Sequence, residues 1–239
     1  MRRRERRIEE LRFRMMVREL LTLLKERYKY RELARMTGIP ATVLSRYVTG
    51  HVIPSPERAK ELWSAITKLG ITNILMDMVY VKDGGYIDDT HLISSSFARK
   101  FIATWALDQV LGKRVNAILA PEVRGAVLAT SVSDTLGVPL IIARRTREGD
   151  EKDLYHATIN RIYRMETFYV PKDMIRKNSY IVIFDDIIRT GSTIKAMINI
   201  AEQAKAHITM VLAAIGVQGW QDALKDIPTK VLLQIRPPS

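Results

Sequence analysis

Residues 181–193 read IVIFDDIIRTGST: four apolar residues, two adjacent acids and, three residues further on, Thr-Gly-Ser-Thr. The apolar run is of strand length and can be buried on both faces. Asp185 and Asp186 then leave its carboxyl end, and Thr190, Gly191, Ser192 and Thr193 open a helix expected over about 192–205. Backbone N–H groups and hydroxyls at such a start, with the positive end of the helix dipole, make a cradle for phosphate. Two carboxylates beside it suit vicinal sugar hydroxyls, directly or through a hydrated magnesium ion. The ligand these residues imply is a ribose carrying a 5-phosphate. A Walker A loop would need GxxxxGK[ST], which does not occur.

On either side of this stretch, short apolar strands alternate with helices. Strands are expected at 115–120, 139–143, 180–184, 209–217 and 231–235, and helices at about 95–112 and 125–136. This alternation predicts an α/β domain with a mainly parallel sheet covered on both faces, its ligand lying beyond the carboxyl ends of the strands. Upstream, VYVKDGGYIDD (79–89) reads as a hairpin, because Asp-Gly-Gly favours positive φ between extended flanks. The charged stretch 146–166 reads as a surface loop.

Before residue 71 the texture is different. Residues 1–70 carry 17 Lys and Arg against 8 Glu, so +9 of the net +12 falls in under a third of the chain. Such asymmetry predicts a polyanion-binding module, residues 1–70, in front of a near-neutral domain, residues 71–239. Ile8, Leu11, Met15 and Met16, with Val17 or Leu20 and Leu23 or Leu24, give a first helix an apolar face. A short helix with Leu33 and Ala34 then ends near Gly38, and a second, begun by Pro40, places Val43, Leu44, Tyr47 and Val48 inward. Two short helices joined by a Gly-containing turn are a helix-turn-helix, whose second helix fits the major groove of double-stranded DNA. The other reading of the pair is a helical bundle used for dimerisation.

No apolar run approaches the roughly 20 residues that span a membrane, and MRRRERRIEE lacks the apolar centre of a signal peptide, so a cytoplasmic protein is expected. Cysteine is absent and the four histidines are scattered, so no protein metal cage is expected and any metal must be held by oxygen.

Two family resemblances sharpen these expectations. The helix pair is similar to the lambda-repressor and Cro type, with Leu33-Ala34, Gly38 and Ser45-Arg46 at the matching positions. The resemblance implies that Ala41, Thr42, Ser45 and Arg46 face base edges, Arg46 gripping a guanine. Residues 181–193 resemble the motif of type I phosphoribosyltransferases that binds 5-phosphoribosyl 1-pyrophosphate (PRPP). This implies a type I phosphoribosyltransferase-like fold, with Asp185, Asp186, Arg189, Thr190, Gly191, Ser192 and Thr193 around the ribose 5-phosphate and magnesium accompanying PRPP. PEVRG at 121–125 is similar to the family's pyrophosphate loop, which implies pyrophosphate contacts from Glu122, Val123, Arg124 and Gly125. Arg144 and Arg145 match a basic pair of the family, a solvated strand end being the other reading. Trp220 falls near the family's base-contacting hood, or is a core aromatic.

The resemblance spans roughly residues 76–239. It is closest to the xanthine phosphoribosyltransferase and purine-repressor branch, and to archaeal regulators that fuse a DNA-binding domain to this fold. In both groups the pocket senses PRPP or a nucleotide, so a homodimeric transcriptional regulator is implied. Many 6-oxopurine transferases keep an acid where this chain has Arg189. A guanidinium cannot shuttle protons near neutral pH. No catalytic residue is therefore assigned, and an active transferase with an appended DNA-binding arm is the alternative.

Overall fold

The computed structural model describes residues 3–68, 70–82, 85–161 and 164–236. The chain falls into two compact units, Met1–Lys82 with Tyr86–Gly112, and Asp83–Gly85 with Lys113–Ser239.

The first unit is mainly helical: α1 (Arg3–Arg27), α2 (Tyr30–Thr37), α3 (Ala41–Val48), α4 (Pro56–Lys68), α5 (Ile71–Met76), α6 (Thr90–Ser94) and α7 (Ser96–Val110). Between α5 and α6 the expected hairpin forms from β1 (Tyr80–Lys82) and β2 (Tyr86–Asp88), antiparallel with Tyr80 opposite Asp88. Its turn residues Asp83 and Gly84 lie outside the described residues. Helix α2 ends at Gly38 in the left-handed conformation, which lets the chain turn sharply into α3. Leu33, Ile39, Leu44 and Tyr47 from this pair are buried, as are Ala59, Leu62, Trp63 and Ile66 from α4. The composition shift at residue 70 and the division at Gly112 mark different things. Helix α7, low in charge, belongs with the helices because its Phe101 ring lies 5.0 Å from Trp63.

The buried face of α1 agrees with expectation at Val17, Leu20 and Leu24 and differs from it in the first half of the helix. Ile8, Leu11 and Met15 are 43%, 42% and 49% exposed, while Phe13, Val17, Leu20, Leu21 and Leu24 are buried. At 3.6 residues per turn the two stripes lie about half a turn apart, and both have helical spacing. Periodicity cannot choose between them. The aromatic stripe packs because Phe13 meets Trp63 edge-on at 6.2 Å.

The second unit contains β3 (Ala117–Pro121), α8 (Arg124–Leu136), β4 (Leu140–Ala143), β5 (Leu154–Arg161), β6 (Arg164–Pro171), β7 (Tyr180–Ile188), α9 (Ser192–Gln203), β8 (His207–Val217) and β9 (Thr229–Ile235). Five strands form one sheet in the order β4-β3-β7-β8-β9, every neighbouring pair parallel. From β3 the chain steps one way to β4, and from β7 the other way to β8. Right-handed connections therefore send α8 and α9 to opposite faces and leave a crevice at the ends of β3 and β7. On the α9 side, Ala117, Leu119, Ile181, Ile183, Val211 and Ala213 pack with Met197, Ile200 and Ala201.

Residues 154–161 and 164–171 are not a loop. Strands β5 and β6 form an antiparallel hairpin, with Ala157 opposite Phe168 and Ile159 opposite Glu166. Ala157, Ile159, Phe168 and Val170 join the core under α9. The charge-rich sequence concealed this because its outward positions carry His156, Thr158 and Asn160, interleaved with a buried apolar set.

Truncations on α1 should separate the two stripes. Leu20→Ala should cost roughly 2–5 kcal/mol, whereas Leu11→Ala should stay within about 0.5 kcal/mol. Urea melts of the two variants check this, and equal losses would contradict the assignment of the buried face.

Candidate functional site

The crevice brings together three of the segments singled out in the sequence. The first is the turn after β3. The Glu122 N–H donates to the Ala143 carbonyl at 3.0 Å, and the Glu122 carboxylate accepts from the Arg145 N–H at 2.9 Å. Val123 is left largely exposed, the Glu122–Val123 peptide is cis, and α8 opens at Arg124. Glu122 thus ties the turn after β3 to the end of β4.

The second segment is the end of β7. The strand does not stop at Phe184 but continues to Ile188, with Asp185 opposite Ala213 of β8. Continuation of the ladder fixes both acids. Asp185 is buried, its carboxylate accepting from the Asp186 N–H at 2.9 Å, and the Asp186 carboxylate lies 3.4 Å from Arg124 Nε. Burial, followed by the charge of Asp186, pushes the Asp185 carboxyl well above the usual range, while the Asp186 amide and the charge of Arg145 pull the other way. Gly125 makes this arrangement feasible: a Cβ there would stand 2.6 Å from the Asp185 oxygen and 3.3 Å from Pro121.

The third segment is the loop into α9. Gly191 has φ 77°, and a side chain there would meet Ala223 and Leu224 at 3.1 and 3.3 Å, so the short 3-10 turn Gln221–Leu224 backs the loop. The Thr190 and Ser192 hydroxyls are 3.0 Å apart, and Thr193 is half-buried in the first turn. Arg189 is exposed and donates to the Gly85 carbonyl at 3.3 Å. Trp220 is a buried core residue.

The two arginines that end β4 behave differently. Arg144 exchanges backbone hydrogen bonds with Tyr169 at 2.9 and 2.8 Å, and its guanidinium pairs with Glu148. The Arg145 guanidinium lies 3.9 Å from the buried Glu166 and 5.7 Å from the Phe168 ring. Sequence reading missed Glu166. Its signal was the alternation Glu166, Phe168, Val170, legible only once 164–171 is known to be a strand. Among the described residues no three His, Asp or Glu side chains are grouped to hold a metal. Two adjacent carboxylates are hard oxygen donors, which fit a hydrated magnesium ion that shares its remaining ligands with a bound phosphate ester.

In the first unit, Thr42 and Arg46 of α3 are exposed and Ala41 and Ser45 half-buried, while Leu44 and Tyr47 point inward. Two arginines of α1 brace this helix and its exit. Arg18 donates to the Tyr47 and Val48 carbonyls at 2.9 and 3.4 Å, and Arg14 to the Pro54 carbonyl at 2.6 Å. A cation at a helix carboxyl end is favoured by the helix dipole. The positive charge of residues 1–70 therefore includes side chains engaged in holding the fold.

The phosphoribosyl transferase domain family matches residues 94–227, over half of the chain. The chain belongs to this family. A helix-turn-helix family matches residues 18–65. Relatives of the phosphoribosyl transferase domain include an adenine phosphoribosyltransferase of Treponema denticola, 28% identical over 124 residues that span 51% of this chain and 65% of that protein. An adenine phosphoribosyltransferase of Streptococcus uberis is 29% identical over 141 residues, 58% of this chain and 78% of that one. The adenine phosphoribosyltransferase structure from Thermoanaerobacter pseudethanolicus superposes with a TM-score of 0.63 at 18% identity, covering 69% of this chain and 99% of its own. That from Trypanosoma brucei, in complex with AMP, pyrophosphate and ribose-5-phosphate, gives 0.59 at 16% identity, covering 69% and 79%. At these identities the structures establish the fold.

The buried carboxyl fixes the sign of a pH effect. With the folded pKa of Asp185 above its unfolded value, stability is lost as pH climbs from about 3.9 through the folded value. Asp185→Asn should therefore melt above the parent protein at pH 7.5, with the gap closing toward pH 4. A gap that does not change with pH in parallel thermal melts would contradict this. Gly125→Ala should destabilise by about 1–3 kcal/mol through overpacking against Asp185 and Pro121, and chemical denaturation measures it.

Proposed function

We propose that this protein is a cytoplasmic, homodimeric transcription regulator that binds double-stranded DNA through α2 and α3 and responds to PRPP or a related phosphoribosyl nucleotide. The observation that carries this reading is the union, in one chain, of a helix-turn-helix with a phosphoribosyl transferase domain in which Arg189 stands at the variable motif position. Exposed Thr42 and Arg46 are available to base edges, with Ala41 and Ser45 beside them.

In the second unit, Thr190, Gly191, Ser192 and Thr193 would take the 5-phosphate at the start of α9. Asp185 and Asp186 would take the ribose hydroxyls. The same two acids would hold magnesium through water, and the ion would supply charge neutralisation of the pyrophosphate. Arg124, Gly125, Arg144 and Arg145, with the Glu122–Val123 turn, would meet that pyrophosphate. Arg189 holds charge and moves no proton, which favours binding over turnover.

The second reading is an enzyme. Its support is that the relatives above are adenine phosphoribosyltransferases. The two readings separate in one set of assays. PRPP with magnesium should raise the melting temperature, by the linkage of binding to stability, and Asp185→Asn with Asp186→Asn should remove the rise. Pyrophosphate release with adenine, guanine, hypoxanthine, xanthine, uracil or orotate should stay at background. Turnover near about 1 per second, abolished by Asp185→Asn, would establish the enzyme instead.

On the DNA side, selection from random sequence should yield a palindrome with half-sites about one helical turn apart, bound less tightly as salt rises. Arg46→Ala should lose roughly 1–3 kcal/mol of base discrimination. Recovery of no enriched sequence would remove the DNA assignment.

A further inference from the structure

Among the described residues, the buried positions of β5 and β6 are apolar except at one. Ala157, Ile159, Phe168 and Val170 are buried there, and so is Glu166, at 8% exposure. An ionised carboxylate in such a place is costly unless a cation is held against it. The cation in place is Arg145, whose Nε lies 3.9 Å from Glu166 and whose guanidinium carbon lies 5.7 Å from the Phe168 ring. Glu166 and Phe168 are two residues apart on one strand, so both side chains leave the same face. Together they form a seat for a guanidinium, a carboxylate on one side and a ring on another.

The seat is rigid at both ends. The hairpin is joined to the end of β4 by the paired backbone bonds of Arg144 and Tyr169, and it is anchored under α9 by its core residues and by the Gln203 side-chain amide on the His156 carbonyl at 2.7 Å. The Arg145 backbone is in turn fixed by Glu122. A long, otherwise mobile side chain is thus constrained at its N–H and at its guanidinium. Preorganisation of this kind lowers the conformational cost of meeting an anion.

We infer that Glu166 is a positioning residue for polyphosphate binding: it holds the Arg145 guanidinium toward the crevice, where that group meets the pyrophosphate but not the 5-phosphate of the ligand. This rests on the reading of the crevice as a PRPP site. The Arg145 charge also reaches Asp185, where it offsets part of the burial effect. The cation is therefore within electrostatic range of the crevice floor while seated on the hairpin. Glu166 touches no ligand itself, and its effect passes through Arg145.

Calorimetry with the full chain tests this, using PRPP with magnesium and ribose 5-phosphate as separate titrants. Glu166→Gln should weaken PRPP about tenfold, one charge-assisted contact, and change ribose 5-phosphate by less than about twofold. In an Arg145→Gln background, Glu166→Gln should have no further effect on PRPP, since the two act as one unit. Equal loss of both ligands, no loss of PRPP, or additive losses in the double variant would overturn the inference. Should Glu166→Gln fail to fold, Glu166→Asp carries the same comparison with the charge kept and the reach shortened. Parent protein that binds neither ligand would remove the phosphoribosyl reading itself and this inference with it. PRPP binding that is untouched by Glu166→Gln would remove this inference alone.

Discussion

The second unit is organised around a carboxylate that it is expensive to bury. Asp185 continues β7 past the four apolar residues that precede it, so the hydrogen-bond ladder carries its side chain under the start of α8. Burial raises its pKa, and the charge of Asp186 next to it raises it further. Three compensations are visible: a hydrogen bond from the Asp186 amide, the nearby Arg145, and a glycine at 125 where any larger residue would collide with the acid. The cost is borne by the apolar core on both faces of the sheet, where Ile118, Leu119, Val182, Ile183, Val211 and Leu212 of the central strands are excluded from water.

Around that acid the positive groups are divided between tasks. Arg124 faces Asp186, Arg145 is seated on the hairpin by Glu166, and Arg144 is paired with Glu148. The same division holds in the first unit, where Arg14 and Arg18 close carbonyls around α3 while Thr42 and Arg46 remain exposed. Net charge therefore overstates how many cations are free for a polyanion in either unit.

The parts legible in the sequence were those with a local cause. The five sheet strands, α8 and α9 follow from apolar runs bounded by turn residues. The helix pair follows from Gly38 and Pro40, and the tight turn into α9 from Thr190-Gly191-Ser192-Thr193. What escaped had a tertiary cause. The first half of the buried stripe of α1 escaped, because the contact of Phe13 with Trp63 decides it and periodicity cannot rank Phe13 above Ile8, Leu11 and Met15. The strands at 154–161 and 164–171 were hidden by the polar residues on their outward positions and by a charged residue, Glu166, on their inward face. Phe184 looked like the end of β7 because acids rarely sit inside a buried strand. That rule fails here because the ladder to β8 continues through Asp185, opposite Ala213.

We propose that one chain reads DNA and a phosphoribosyl ligand and that the two are coupled. Coupling is reciprocal and amounts to a shift in DNA affinity on ligand binding. The direct measurement is fluorescence anisotropy of the selected DNA site titrated with protein at fixed salt, with and without saturating PRPP and magnesium. The dissociation constant should move by about fivefold or more, in the range typical of coupled sites, and the shift should disappear in Asp185→Asn with Asp186→Asn. Superimposable DNA titrations with and without a ligand that calorimetry shows to be bound would contradict it.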